Sequence, residues 1–316
     1  MSLKISAAVF SHIGHRSNNE DNFYFNGLYM EREQMNKGGQ IHSVVTENEQ
    51  MFAVCDGMGG AELGEEASLK AVQMLREYQQ TCLHPDSSTF LDEAIGNISA
   101  AVDGISISHG MASGDCGSTL AMILLKDWSF RTVHVGDSRV YLLRKGKMSR
   151  VTKDDSKVQI MVDEGEITPD EAWQHPEKNI ITRHLGMPME DGEKLKPTIS
   201  ERKDLMAGDR FLLCSDGLTD QVHETIIRDI LMNVSSAAEA ASTLVHKALT
   251  EAEHMELASD NVTVIVLDIV KAGEKDDNQK RIHMMQGLRG LLIALIALLA
   301  GGLGWAGYEL VTFLLR

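Results

Sequence analysis

The chain is poor in cysteine, with four in 316 residues, at positions 55, 82, 116 and 214. None fall at a CxxC or other zinc-ligand spacing, which excludes a zinc site of clustered cysteines. Cys55 and Cys214 lie inside apolar runs, and all four read as reduced thiols in a reducing compartment. Positive charge is also scarce: 30 Lys and Arg stand against 46 Asp and Glu, for a formal net charge of −16. This argues against general nucleic-acid binding and against docking on anionic lipid. An anionic substrate must then be held by local positive charge, from metal ions or a few Arg. The opening MSLKISAAVF lacks a long apolar region, so no secretory signal is expected there. There is no internal repeat, and strands and helices do not alternate as a parallel doubly wound sheet requires.

What is present is a mixed set of elements. Strands are expected at Ser6–Phe10, Phe23–Phe25, Ile41–Val45, Met51–Cys55, Ser118–Leu125, Phe130–Val135, Arg139–Leu143, Arg210–Cys214 and Asn261–Ile269. Apolar residues recur at helical spacing from Leu63 to Tyr78, from Phe90 to Ile105, from Val222 to Leu231 and from Ala237 to Leu249, with a short helix expected within Asp154–Gly165. The order is strands, two helices, strands, two helices, strand. It suits an α+β fold of antiparallel sheets packed together with helix pairs outside. After Met51–Cys55 the run Asp56-Gly57-Met58-Gly59-Gly60 reads as a sharp turn where the backbone comes close to something. Gly136-Asp137-Ser138 reads as a tight turn between two strands, and Glu166–Gly186 as irregular.

Lys271–His283 is a charged linker, and Gly290–Tyr308 carries no charge over 19 residues. That nearly matches the ~20 residues that cross a bilayer, so one C-terminal transmembrane helix is expected. Lys280, Arg281 and Arg289 precede it against Arg316 after it, which places the N-terminal part in the cytoplasm. The expected division is a catalytic domain over 1–270, a juxtamembrane linker over 271–287 and an anchor over 288–316.

Acids recur at strand ends. Asp56 follows MFAVC, Asp137 follows TVHVG, Asp216 follows FLLCS, and Asp260 precedes NVTVIVLDI; Asp21, beside Glu20, adds a fifth. Singly, each reads as a solvated cap. Converging, they would repel one another unless cations neutralised them. Carboxylate and carbonyl oxygens without a His or Cys cluster select Mg²⁺ or Mn²⁺ over zinc. A shared bridging Asp would make a two-metal hydrolase acting on a phosphoryl group.

The same residues carry a resemblance. Arg16-Ser17-Asn18-Asn19-Glu20-Asp21, Asp56-Gly57-Met58-Gly59-Gly60, Gly117-Ser118-Thr119, Gly136-Asp137-Ser138-Arg139, Ser215-Asp216-Gly217-Leu218 and Asp260-Asn261-Val262-Thr263 stand in the order and spacing of the metal-dependent protein phosphatases, type 2C serine/threonine class. Gly165–Thr168 through Ile181–Gly186 looks like the flap segment of the bacterial branch. The likeness covers roughly residues 5–269. It implies a four-layer α-β-β-α sandwich, two central antiparallel sheets flanked by helix pairs. It also implies hydrolysis of phosphoserine and phosphothreonine by direct attack of a metal-activated water at a dinuclear Mn²⁺ or Mg²⁺ centre. On that pattern Asp56 bridges two ions with the Gly57 carbonyl on the second. Asp216 and Asp260 complete the shell of the first ion, and Glu20 and Asp21 hold the second ion largely through water. Asp137 with Asp216 and Asp220 holds a third ion found in bacterial relatives. Arg16 clamps the substrate phosphate. The implied partners are phosphorylated proteins, a cognate serine/threonine kinase and, through the last helix, the membrane, with no nucleic acid.

Two positions depart from the pattern. Met58 stands where animal relatives have a His proposed as general acid, leaving that task to water or to His184 in the flap. Asp155 stands where many relatives have His in a Thr-x-Asp-His-Ser segment. Cys55, near the site, reads as a small core residue and not a nucleophile. The rival readings are a catalytically silent phosphoprotein-binding module and a phosphatase of small molecules.

Overall fold

The computed structural model describes residues 3–45, 49–59, 63–81, 87–189, 193–255 and 258–271. The uncharged stretch 290–308, the linker beyond Lys271 and Cys82 lie outside them. Among the described residues no helix is long and apolar enough to cross a membrane.

Two antiparallel sheets form the centre, and a one-turn helix, α1 (Arg32–Met35), joins the second strand to the third. One has six strands: β1 (Leu3–His12), β3 (Gly39–Val45), β8 (Arg139–Arg144), β9 (Lys147–Arg150), β12 (Arg210–Cys214) and β13 (Val262–Lys271), in the order β3-β1-β13-β12-β8-β9. The other has seven. Its main path is β10 (Thr198–Ile199), β7 (Ser129–Val135), β6 (Leu120–Lys126), β4 (Glu49–Gly59) and β2 (Asp21–Phe25), with β5 (Cys116–Ser118) on β4 and β11 (Lys203–Asp204) on β7.

The period of two along each strand assigns its faces. Phe23, Phe25, Phe52, Val54, Ala121 and Ile123 of the seven-stranded sheet pack against Ile5, Ala7, Val9, Val140, Leu213 and Ile265 of the six-stranded one. The opposite face of the seven-stranded sheet, with Tyr24, Ala53, Cys55 and Met122, is covered by α2 (Leu63–Thr81) and α3 (Ser88–Ser108) through Leu63, Ala67, Ala71, Leu91, Ile95 and Ile98. The outer face of the six-stranded sheet is covered by α7 (Glu224–Asn233) and α8 (Ala237–His254) through Ile227, Leu231, Leu244 and Val245. The layers are therefore helices, sheet, sheet, helices. Cys55, Cys116 and Cys214 are buried free thiols.

Two expected turns are something else. The strand through Met51–Cys55 does not turn at Asp56 but continues through Gly59. Gly57, Met58 and Gly59 pair with Ser118, Gly117 and Cys116 of β5. The glycine at 57 serves a close approach: a Cβ there would stand 1.9 Å from the Gly64 carbonyl oxygen. Gly136–Ser138 does not close a hairpin either, because β7 and β8 belong to different sheets. The chain crosses between sheets here, and Gly136, at φ +100°, supplies the left-handed bend.

The short helix expected within Asp154–Gly165 is α4 (Lys157–Asp163). Glu166–Gly186, expected to be irregular, holds a further short helix, α5 (Pro169–Trp173), with Thr168 and Glu171 forming a reciprocal N-terminal cap.

Candidate active site

The site is the polar end of the layer between the sheets. Each inter-sheet stripe is apolar along its length and switches to a polar residue one period beyond. Phe23 gives way to Asp21, Val54 to Asp56, Ala121 to Thr119, Val140 to Ser138, Leu213 to Ser215, Ile265 to Thr263 and Val9 to Ser11. Asp21 and Asp56 are direct cross-strand partners on β2 and β4, so their side chains share a face.

The hydroxyls stitch the sheets together. Ser215 Oγ donates to Asp21 Oδ2 at 2.7 Å and accepts from Thr263 N at 3.0 Å. Thr119 Oγ1 accepts from Asp56 N at 3.0 Å and shares a 2.7 Å hydrogen bond with Ser138 Oγ, next to Asp137. Asn261 fixes the loop that carries Arg16 and Glu20. Its Oδ1 accepts Glu20 N at 2.7 Å, and its Nδ2 donates to the carbonyls of Ile13 and Asn18. Gly57 N donates to the Glu20 carbonyl at 3.1 Å, bringing that loop against β4. Asp216 opens the short helix α6 (Asp216–Thr219), which Asp220 follows.

The acids share one field. Burial, then repulsion by Asp21, Asp216, Asp137 and Asp260, pushes the Asp56 carboxyl well above the usual carboxylate range. Asp216 is pushed up by burial and by Asp137, Asp220, Asp260 and Asp21. Asp21 rises to about 7 by burial, against the hydrogen bonds from Ser215 and Thr263, and Asp137 rises to about 7 by burial and Asp154, against Arg139. Burial also raises Glu20, against the pull of Arg16. Asp21 Oδ1 and Asp137 Oδ1 are buried with no hydrogen-bond partner. Such atoms are costly unless something electropositive meets them. Two acids have a local cation instead: Asp260 Oδ2 lies 2.6 Å from Arg16 Nη2, and Asp220 Oδ2 lies 3.1 Å from Lys178 Nζ.

The expected acids are thus gathered at one end of the sandwich, but they are not drawn into a cage. Among the described residues no three His, Cys, Asp or Glu side chains close on a single point for an ion. The all-oxygen donor set and the orphaned oxygens nevertheless fit hard divalent cations whose shells are completed by carbonyls and water.

Arg16 is largely exposed and occupied by Asp260. His184 packs on Gly117, the cross-strand partner of Met58, with its Nδ1 2.9 Å from the Leu185 carbonyl. Cys55 is fully buried, and burial pushes its thiol up, which suits a core residue. A cavity of about 400 Å³ opens from Asp137, Asp216 and Asp220 toward α4 and α5, with Trp173, Arg139 and Arg150 among its walls. Trp173 Nε1 donates to the Thr219 carbonyl at 2.7 Å, joining α5 to α6. Ser11, Thr119, Ser215 and Asn261 carry no role in the sequence reading. Extending each apolar alternation by one step would have found the first three.

The protein-family profile described as protein phosphatase 2C matches residues 27–252. The chain belongs to this family. It is 41% identical over 224 residues to the serine/threonine protein phosphatase PstP of Mycobacterium tuberculosis, covering 70% of this chain. That match spans 40% of the relative's own length. Against the serine/threonine phosphatase stp of Listeria welshimeri it is 32% identical over 226 residues, 70% of this chain and 85% of the relative. A solved structure of the PstP catalytic domain in complex with two manganese ions superposes with a TM-score of 0.67 at 35% identity, covering 85% of this chain and all of that one. The family match accounts for the two antiparallel sheets.

Proposed function

We propose that the chain is a metal-dependent phosphoprotein phosphatase acting on phosphoserine and phosphothreonine. The observation that carries this reading is the acid cluster at the inter-sheet end, with buried oxygens on Asp21 and Asp137 that lack partners. Asp56, the Gly57 carbonyl, Asp216 and Asp260, with Glu20 and Asp21, would hold two ions; Asp137, Asp216 and Asp220 would hold a third. Mn²⁺ or Mg²⁺ bound there supplies Lewis-acid polarisation of phosphoryl oxygens and an activated water at neutral pH.

The chain's own residues do the rest. Thr119 and Ser215 hold Asp56 and Asp21 in register through the hydrogen bonds described above. Asn261 keeps the Arg16 loop against the cluster. The Arg16 guanidinium, paired with Asp260 at 2.6 Å, is the group that a phosphate dianion would compete for. Cys55 is not placed as a nucleophile for the cluster, since it faces the helix side of its sheet.

Residues 1–270 form the catalytic domain in this reading, 271–287 the linker and 288–316 a single-pass anchor in the inner membrane of a bacterial cell. Support for the anchor is the uncharged stretch 290–308 and the excess of Lys and Arg before it. The partners are phosphorylated proteins and the serine/threonine kinase that the enzyme opposes.

The test is phosphate release from a phosphothreonine peptide by the full chain with Mn²⁺, with Mg²⁺ and with EDTA. Release with either metal, none with EDTA, and loss in Asp56→Ala and Asp216→Ala are expected. Folded protein that releases nothing under any metal would make the chain a silent phosphoprotein-binding module. Faster turnover of sugar phosphates than of phosphopeptides would make it a small-molecule phosphatase.

A further inference from the structure

Asp155 lies outside the acid cluster, yet its four polar atoms are spent on two segments of the site. Its N donates to the Gly136 carbonyl at 2.7 Å, and its Oδ2 accepts Gly136 N at 3.0 Å. This reciprocal pair encloses the residue immediately before Asp137. Its Oδ1 accepts Arg183 Nη1 at 3.1 Å, and its carbonyl accepts Thr182 N at 2.8 Å. The Asp155 side chain is only 15% exposed.

The neighbouring acid grips the other side. Asp154 Oδ2 accepts from Arg139 Nε at 3.0 Å and Nη2 at 2.7 Å, two residues beyond Asp137. Gly136, in the left-handed region at φ +100°, has the backbone freedom to let Asp137 wander unless it is held. On the flap side, the chain runs from Arg183 to Leu185, whose N and O bond the O and N of Ser118 at 2.8 and 3.1 Å. Ser118 pairs in turn with Gly57. One hydrogen-bonded path thus joins Gly57 to Asp137 by way of Leu185, Arg183 and Asp155.

We propose that Asp155 is a positioning residue: it holds the Asp137 carboxylate in place for a divalent ion and, through Arg183, fixes the returning end of the flap to that same turn. The inference rests on the metal reading above. An acid suits this position because one carboxylate can accept from a backbone amide and a guanidinium together. A His there cannot do both with the same geometry.

The experiment uses the full chain and its Asp155→Ala, Asp155→Asn and Arg183→Met variants. Three quantities are read: Mn²⁺ binding by calorimetry, KM and kcat for a phosphothreonine peptide, and thermal unfolding. Asp155→Ala should weaken the weaker class of bound Mn²⁺ about tenfold or more, as loss of a supporting hydrogen bond does at other metal sites. The tighter class should stay within about twofold. Asp155→Asn keeps an oxygen for Gly136 N and loses the ion pair, so it should restore Mn²⁺ affinity while KM for the peptide stays raised. Arg183→Met should raise KM in the same way with Mn²⁺ binding intact.

A merely structural role would lower the melting temperature and leave isotherms and KM alone; that result overturns the proposal. If Asp155→Ala does not fold, Asp155→Asn and Arg183→Met decide, and wild-type KM in both overturns it. A wild-type chain that binds no Mn²⁺ overturns the metal reading and this inference with it, whereas normal Mn²⁺ binding in Asp155→Ala overturns this inference alone.

Discussion

The molecule buries carboxylates at both ends of its sandwich, and treats them in opposite ways. Far from the cluster, Asp209 is 2% exposed and fully served. Arg144 meets its two oxygens at 2.7 and 2.6 Å, and Met206 N donates to it at 2.7 Å. Arg210 clasps Asp268 in the same bidentate way. At the other end, Asp21 and Asp137 are as deeply buried, with an orphaned oxygen each and acids for neighbours. An acid with its own Arg is a structural member. An acid buried without one is an unfinished charge balance, and the missing charge has to come from outside the chain. The difference separates the acids that shape this fold from those that the proposed ions would complete.

Breaking the comparison at the cluster should give the largest effect. Asp56→Asn removes one charge from the group of mutually repelling acids. The ion-free chain should become more stable, while metal-dependent turnover falls on the order of 10³-fold, about 4 kcal/mol of transition-state stabilisation. Melting curves in EDTA beside phosphopeptide turnover check both halves. Equal loss of stability and activity would mean that Asp56 is an ordinary core acid. At the served end the signs reverse. Asp209→Ala leaves Arg144 without its partner and should cost about 3 kcal/mol of stability. Turnover per folded molecule should stay unchanged, as denaturant titration and active-site-normalised rates would show.

Much of this contrast was legible in the residues. The helix pairs follow from apolar recurrence at 3.6, and the two sheets from alternation at 2. The acids stood out because they sit where apolar strands stop. Their supports did not, since Thr119, Ser215 and Asn261 look like ordinary strand-end polar residues until the two sheets are superposed. The glycines at 57 and 59 misled for a physical reason. A glycine that permits a turn and one that permits close approach leave the same mark in a sequence. Only the pairing with β5 and the nearby Gly64 carbonyl separate them. The crossing at Gly136 was hidden likewise, because a bend within one sheet and a bend between two use the same residues. Asp155 was read as a lost His; its partners Gly136 and Arg183 are 19 and 28 positions away in sequence.

The pH dependence of stability sharpens the comparison without mutation. Asp21 and Asp137 titrate near 3.8 as ordinary Asp side chains and near 7 in the fold. Between these values the ion-free folded chain binds more protons than the unfolded one, so stability must fall as pH rises from about 4 to about 7. Saturating Mn²⁺ should abolish the slope and, at 100 times its Kd, add about 2.7 kcal/mol. Calorimetric melts at pH 5 and pH 8, with and without Mn²⁺, are the check. Stability that rises with pH in EDTA would show that the cluster carries a cation of its own.

The smallest effect is expected at Ser215, at the cluster end of its strand. Its hydroxyl donates to Asp21 Oδ2 at 2.7 Å and so spans from one sheet to the other. Ser215→Ala removes that donor and the acceptor of Thr263 N, for a loss of about 1–2 kcal/mol. The size should depend on what Asp21 carries. With Asp21 ionised, the hydroxyl is its main relief and the loss is larger; at pH 5, with Asp21 protonated, the carboxyl can turn its own proton outward and the loss shrinks. Bound Mn²⁺ would take over the relief of the charge, so the variant's penalty should shrink at pH 8 as well once the ion is present. A penalty that ignores both pH and Mn²⁺ would place Ser215 with Arg144 and Arg210, as part of the scaffold, and would move the border of the active cluster inward to Asp56.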